Sequence, residues 1–287
     1  MSATLLGDSM SVSPLDGHVW AVSRDRKQIL ESPDGGVTWT VRYTAAGAAA
    51  HINAVVADPN TASTVWAGIS AADTLADVLR STDGGASWSA VLPAGLRGAG
   101  GLSPTNAGPV AALSGVAGFV VAGAQYYHGG GVLQTGDGGA TWTLAYPDTY
   151  TPLAGASAVA VGGSAAATAQ IYAGLNVMQF GSLVRSDDGG AAWIDLSAQL
   201  PVRAPGTGGF VANIVLEAAQ PEVVYISQWD TDTPPRTGVF VSGDRGQSWT
   251  ELGHLDLQVA GPCGLVLESG SRKLYAATGA GVYRFAL

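Results

Sequence analysis

Short apolar runs separated by clusters of Gly, Pro, Asn and Asp fill this chain, and none sustains the 3.6-residue apolar period of an amphipathic helix. The pattern predicts strands throughout and very little helix. Residues 50–95 display the unit most clearly. One apolar run covers 52–57 and ends at Asp58 and Pro59, a second covers 64–69, a third 77–80 and a fourth 88–92. The second run recurs at 18–22, 119–122, 171–173, 223–226 and 273–276, so the chain holds six such units. Apolar inner runs beside alternating outer ones predict four-stranded antiparallel blades.

Between the third and fourth runs a signature, Ser/Thr-x-Asp-x-Gly-x-x-Trp, recurs five times: Ser32 to Trp39, Ser81 to Trp88, Thr135 to Trp142, Ser186 to Trp193 and Ser242 to Trp249. Its aspartates, Asp34, Asp83, Asp137, Asp188 and Asp244, are spaced by 49, 54, 51 and 56 residues. A period near fifty means one supersecondary unit per repeat, with connections of varying length. The motif has a mechanical reading. The carboxylate accepts hydrogen bonds from backbone N–H groups of its own turn, and the Ser/Thr hydroxyl braces it. The glycines serve positions of positive φ, and the Trp ring is expected between neighbouring blades. Five copies serving five turns read as structure, neither catalytic nor metal-binding.

Six second runs predict a six-bladed propeller; a seventh blade would need a unit with no recognisable strands. The blades are expected near 10–45, 50–95, 108–147, 156–198, 210–253 and 258–287, within one all-β domain spanning 1–287. The sixth unit has runs at 264–267, 273–277 and 281–285 but no fourth, while residues 3–7 have no partner in the first unit. Residues 3–7 are therefore expected as the outer strand of the last blade, so that the N-terminal strand closes the ring.

Composition narrows the partners. The formal net charge is −9, with Lys27 and Lys273 the only lysines, which argues against nucleic acid and against anionic membrane surfaces. Cys263 is the only cysteine, excluding an intramolecular disulfide and a multi-Cys zinc site, and His18, His51, His128 and His254 offer no metal spacing. No metal or cofactor is expected. The first residues carry no basic n-region or apolar h-region, and no apolar run reaches membrane-spanning length, so the chain as given reads as soluble without a signal peptide.

The five motifs resemble the BNR or Asp-box repeat of the sialidase-like propeller superfamily, which includes sialidases, xyloglucan-degrading glucanases, sortilin-type receptors and photosystem assembly factors. The resemblance implies the propeller; folds of this kind host many functions. A sialidase would need three arginines converging on a carboxylate, a Tyr nucleophile with a Glu partner, and an acid/base Asp. No Arg-Ile-Pro segment occurs, Arg80, Arg185 and Arg245 sit in or beside the motif turns, and no pattern selects three from Arg24, Arg26, Arg97, Arg203 and Arg236. The glucanases place their carboxylates between two propellers, and a chain of this length supplies one.

In a propeller the connections from second to third strand, and from fourth strand to the next blade, share the face opposite the motif turns. Here they include 23–27, 70–76, 125–129, 176–180 and 228–236, with 92–109, 146–150 and 196–209. That face collects the candidate ligand-binding residues Tyr126, Tyr127, His128, Phe180, Trp229, Asp230, Asp232 and Arg236. Aromatic rings beside carboxylates suit a sugar, Trp, Tyr and Arg suit a protein interface, and the same residues suit plain packing of one loop on another. Asp230 and Asp232 are the candidate acid/base pair for a glycoside hydrolase. Small-residue segments such as 44–50 and 95–102 give little electrostatic protection against association. The leading expectation is a non-catalytic module for protein interaction or assembly, part of a larger complex or a virion. A carbohydrate-binding module or sialidase-like hydrolase is the alternative.

Overall fold

The computed structural model describes residues 5–47, 50–70, 77–96, 104–126, 129–148, 155–177, 180–201, 203–204, 207–208, 210–229, 237–254, 264–268, 272–278 and 281–287. They form a six-bladed β-propeller of antiparallel blades. Blade 1 comprises β1 (Leu5–Val12), β2 (Val19–Ser23), β3 (Gln28–Ser32) and β4 (Thr40–Thr44); blade 2 comprises β5 (His51–Ala57), β6 (Val65–Ser70), β7 (Asp77–Ser81) and β8 (Ser89–Ala90). Blade 3 holds β9 (Pro104–Ala112), β10 (Val120–Tyr126), β11 (Gly129–Thr135) and β12 (Thr143–Asp148); blade 4 holds β13 (Gly155–Gly162), β14 (Gln170–Val177), β15 (Phe180–Ser186) and β16 (Ile194–Asp195). A two-residue ladder of β17 (Arg203–Ala204) with β18 (Thr207–Gly208) precedes blade 5, which is β19 (Phe210–Leu216), β20 (Val224–Trp229), β21 (Thr237–Ser242) and β22 (Thr250–His254). Blade 6 has three strands among the described residues, β23 (Gly264–Glu268), β24 (Lys273–Thr278) and β25 (Gly281–Ala286).

Each of the six expected second runs lies in or overlaps a second strand. Helix is confined, among the described residues, to single 3-10 turns such as Ala94–Leu96 and Ser197–Gln199, and no helix there is long and apolar enough to cross a membrane. The outer strand β8, at Ser89–Ala90, is shorter than the expected 88–92. Beyond β8, Val91 N still donates to Val78 O at 3.0 Å, but Leu92 N donates to the Asp77 carboxylate at 3.0 Å and its side chain drops into the core.

The innermost strands form a closed series: β1 lies beside β5, then β9, β13, β19 and β23 follow, and β23 returns to β1. The N-terminal strand thus closes the ring, by a different route from the one expected. Residues 3–7 were assigned to the outer edge of the last blade, but residues 5–12 are one strand paired with β2, with Leu5 opposite Ser23 and Val12 opposite Val19. Its hydroxyls serve the next blade, Ser9 Oγ accepting from Val55 N at 3.2 Å and Ser11 Oγ from Ala57 N at 3.0 Å. Closure here is inner strand to inner strand.

The core is divided among the junctions between blades. Five buried clusters fill the five junctions from blade 1/blade 2 to blade 5/blade 6: Trp20, Val22 and Ile29 meet Ile52 and Leu79, for example, and Tyr225 and Val239 meet Leu265 and Leu274. Burial of these large side chains supplies the main driving force, at about 1.5–3 kcal/mol for each fully buried one.

Candidate functional site

The motif turns join third to fourth strands, as expected. In the second, Ser81 Oγ donates to Asp83 Oδ1 at 2.9 Å and accepts from Gly85 N at 2.8 Å, while Asp83 Oδ1 also accepts from Ser87 N at 2.9 Å. The same three bonds recur in the other four turns. A further hydroxyl escaped the sequence reading. The residue before the Trp closes the turn, with Thr38, Ser87, Thr141 and Ser248 donating to the second carboxylate oxygen at 2.7, 2.5, 2.6 and 2.5 Å. The fourth turn has Ala192 at that position.

These donors set the acidity. The Thr38 backbone N–H and then its hydroxyl hold Asp34 at about 2, and the hydroxyls of Ser87, Thr141 and Ser248 lead the same depression to about 2 for Asp83, Asp137 and Asp244. Asp188 is lowered by the Ala192 N–H and the Ser186 hydroxyl. Glycines at φ +67 and +80, Gly84 and Gly85, carry the backbone through the second turn; in the fifth turn Arg245 takes the first of those positions at φ 60.

The second to fifth turns are clamped onto the preceding blade, which gives Trp88, Trp142 and Trp193 their expected place. Trp88 donates through Nε1 to Arg42 O of blade 1 at 3.2 Å and meets Trp20 edge-on at 6.5 Å. Trp142 meets Trp66 of blade 2 at 6.4 Å, and Trp193 donates to Ala145 O of blade 3 at 3.0 Å. Arg185 Nη1 of blade 4 donates to Arg245 O in the fifth turn at 2.5 Å. Beside the first of these contacts, buried Glu31 lies 2.6 Å from His18 Nδ1 and accepts from Arg42 Nε at 2.7 Å.

On the opposite face the strands run further than expected. Tyr126 ends β10 opposite Gly129, Val177 ends β14 opposite Phe180, and Trp229 ends β20 opposite Thr237, so pairing reaches these residues, and 127–128, 178–179 and 230–236 lie outside the described residues. Strand topology brings Tyr126, Phe180 and Trp229 to one face; their side chains lie outside the described residues. Tyr127, His128, Asp230, Asp232 and Arg236 lie outside them altogether. The described 23–27 connection is structural: Asp25 accepts from Ser23 Oγ at 2.5 Å and Lys27 N at 3.1 Å, and Lys27 Nζ donates to Gly47 O at 3.2 Å and Ala50 O at 2.5 Å. Among the described residues no group of three His, Cys, Asp or Glu could hold a metal ion.

The feature that sequence reasoning missed is at the blade 6/blade 1 junction. Register gives each third strand one residue directed at the next blade: Ile29, Val78, Val132, Leu183 and Val239 are all 0 % exposed, and their counterpart Val282 is 72 % exposed. Val266 on β23 shares that face and is 65 % exposed, and Met10, Val12 and Val41 are exposed on blade 1. The first turn, which the pattern would clamp onto blade 6, leaves Gly36, among the described residues, with only its own Trp39 ring within 4 Å of a Cβ. The available signal was the sixth unit's lack of a fourth run.

No protein-family model matches this sequence, and no curated protein matches it. Among solved structures it is similar to a xyloglucanase of family GH74 from Xanthomonas campestris, at 18 % identity and TM-score 0.70, over 96 % of this chain and 44 % of that one. It is also similar to YCF48 bound to D1 peptide, at 18 % identity and TM-score 0.51, over 100 % of this chain and 94 % of that one. A third likeness is to a nidogen/laminin complex chain, at 11 % identity and TM-score 0.56, over 86 % of this chain and 78 % of that one. The chain therefore spans less than half the length of the xyloglucanase. At these identities the shared property is the propeller fold.

Proposed function

We propose that this chain is a non-catalytic propeller of the BNR or Asp-box type that serves as a protein-interaction or assembly module within a larger complex. The observation that carries this reading is the apolar face that blade 6 exposes among the described residues, where Val282 is 72 % exposed although all five counterparts are fully buried. Contiguous exposed apolar surface is characteristic of a site that another protein covers. Two further points support it. The motif carboxylates Asp34, Asp83, Asp137 and Asp244 are held at about 2, far from the value a general acid or base needs near neutrality. The YCF48 chain that binds D1 peptide is matched over almost its whole length, whereas the xyloglucanase is matched over less than half.

Two measurements on the full chain test the reading. Xyloglucan and a panel of aryl glycosides are expected to show no turnover, and hydrolysis of any of them would overturn the assignment. A photo-crosslinking residue at Val266 is expected to capture a protein partner, in competition with unlabelled chain, while the same residue at exposed Ala140 captures none. Equal capture from both positions would also defeat it.

A further inference from the structure

Blades 2 and 4 carry an arginine at the same register position of the third strand: Arg80 is opposite Trp66, and Arg185 is opposite Tyr172. Every side-chain nitrogen of Arg185 is used. Its Nε and Nη2 donate to Asp187 Oδ2 at 3.1 and 2.8 Å, and its Nη1 donates to Arg245 O of the fifth turn. Arg80 has no such partners. Thr82 stands where blade 4 has Asp187, and the Arg80 Nε is buried without a hydrogen bond. No carboxylate among the described residues pairs with Arg80, and those near it in the chain or the turns are engaged elsewhere. Asp58 accepts from Trp66 Nε1, and Asp83 and Asp137 accept from their own turns. The guanidinium is nevertheless fixed. Its Cζ lies 5.2 Å from the Trp66 ring centroid, and a Cβ on Gly138 of the third turn would lie 3.5 Å from both Nη atoms and 3.6 Å from Cζ. Indole and turn thus hold the plane in one orientation while its edge donors stay unpaired.

We propose that Arg80 is a docking point on the motif face for a partner protein, whose Asp or Glu carboxylate is taken by the unpaired guanidinium edge. Blade 4 supplies the chemistry, because a carboxylate is what the matching arginine holds there. A single ion pair in water is weak, so the bearer must bring further surface with it, as a folded partner does and a small acid does not. Asp83 and Asp137 belong to the two turns beside Arg80, which favours a singly charged occupant over a phosphate. The identity of the bearer rests on the assembly reading. The site itself lies at the blade 2/blade 3 junction, away from Val266, so a failed titration here with successful crosslinking there refutes this site alone.

The probe is acetate, exchanged for chloride at constant ionic strength and neutral pH, and the readout is the Arg80 Nε–H resonance of the isotope-labelled full chain, identified by its loss in Arg80→Lys. Acetate is expected to shift that resonance saturably, with a midpoint on the order of 0.1 M, the strength of one charge-assisted pair unaided by other contacts. The Arg185 resonance, already bonded to Asp187, is expected to stay in place. Thr82→Asp puts a carboxylate where blade 4 has one, so the Arg80 resonance is expected at its shifted position without acetate, and the titration is expected to vanish. Thr82→Asn, which lacks the charge, is expected to titrate like the native chain. An Arg80 resonance indifferent to acetate, or a Thr82→Asp chain that titrates like the native one, would overturn the proposal. Phosphate acting at an about tenfold lower concentration than acetate would assign the site to a phosphate-bearing ligand, and citrate acting at that level would assign it to a small polyacid. Either outcome refutes a protein carboxylate.

Discussion

If each motif turn is clamped onto the preceding blade, adding one methyl group at the clamp should cost far more than adding it one residue away. Gly85 and Gly84 allow that comparison. Both have left-handed φ, +80 and +67, so either Gly→Ala change incurs about 1–2 kcal/mol of backbone strain, offset by about 0.4–1 kcal/mol through reduced freedom of the unfolded chain. A Cβ at Gly84 meets nothing within 4 Å, and Gly84→Ala should destabilise by about 1 kcal/mol. A Cβ at Gly85 would lie 2.9 Å from the Trp20 Cη2 atom and 3.0 Å from Arg42 Cβ. Trp20 is 1 % exposed and held edge-on by Trp88, so it has nowhere to retreat. Overpacking of that kind adds about 1–3 kcal/mol, for a total of about 2–4 kcal/mol. Urea unfolding followed by tryptophan fluorescence gives both values as midpoint shifts at constant slope. In a Trp20→Phe background the extra penalty of Gly85→Ala should shrink toward that of Gly84→Ala, because the shorter ring vacates the contact. Equal costs for Gly84→Ala and Gly85→Ala in the native background would refute the clamp.

Other consequences follow from the turn chemistry. Asp34, Asp83, Asp137 and Asp244 have folded values of about 2 against an ordinary 3.8, so each stabilises the fold fully above about pH 4 and loses that contribution as the pH falls toward 2. Thermal melting between pH 5 and 2 should drop mainly below pH 4, and a flat profile across that interval would contradict the assignment. Ala192→Ser should give Asp188 the hydroxyl its four counterparts have, lowering its titration midpoint in carboxyl NMR; an unmoved midpoint would deny the hydroxyl its role. Arg245→Gly should stabilise the chain by about 0.5–1 kcal/mol, since it relieves a side chain at φ 60 and leaves the carbonyl that Arg185 contacts in place. A lowered melting temperature for this variant would mean that the Arg245 side chain does more than tolerate its position.

The blades were readable because their signals are local. Periodicity located the second strands, and the Ser/Thr, Asp and Gly spacing specified turns whose hydrogen bonds all fall within a few residues of the aspartate. The Trp contact with the neighbouring blade followed from ring size alone. Strand length was less readable where a hairpin continues pairing through a weak pattern: Tyr126, Phe180 and Trp229 are strand termini, although their neighbours read as loop. The outer hydroxyls of Thr38, Ser87, Thr141 and Ser248 were overlooked because a Ser or Thr beside a Trp carries no signal until the carboxylate's second oxygen is seen to need a donor. The ring closure was misassigned for a related reason. Residues 3–7 looked unpartnered only because the first blade was placed too late in sequence, from about residue 10, when its first strand is already present at Leu5.

That correction bears directly on function. Had the N-terminal strand lain along β25, every third strand would be covered and no apolar face would stand out. With residues 5–12 committed to the inner edge of blade 1, and with Ser9 and Ser11 bonded to Val55 and Ala57 of blade 2, moving that strand outward would break its pairing with β2 and both of those hydroxyl contacts. The clamping rule sharpens the point, because it has a direction: a turn grips the blade before it, so the first turn must grip blade 6. Among the described residues a Cβ on Gly36 would meet no side chain of blade 6, whereas one on Gly85 would lie 2.9 Å from Trp20 and one on Gly139 3.3 Å from the Trp66 ring. Four junctions are gripped by motif turns and five are filled by buried clusters, whereas Val282, Val266 and Arg284 are exposed at the sixth. Among the described residues, the surface where this propeller departs from its own pattern of covered third strands is therefore the blade 6 face that carries Val282 and Val266.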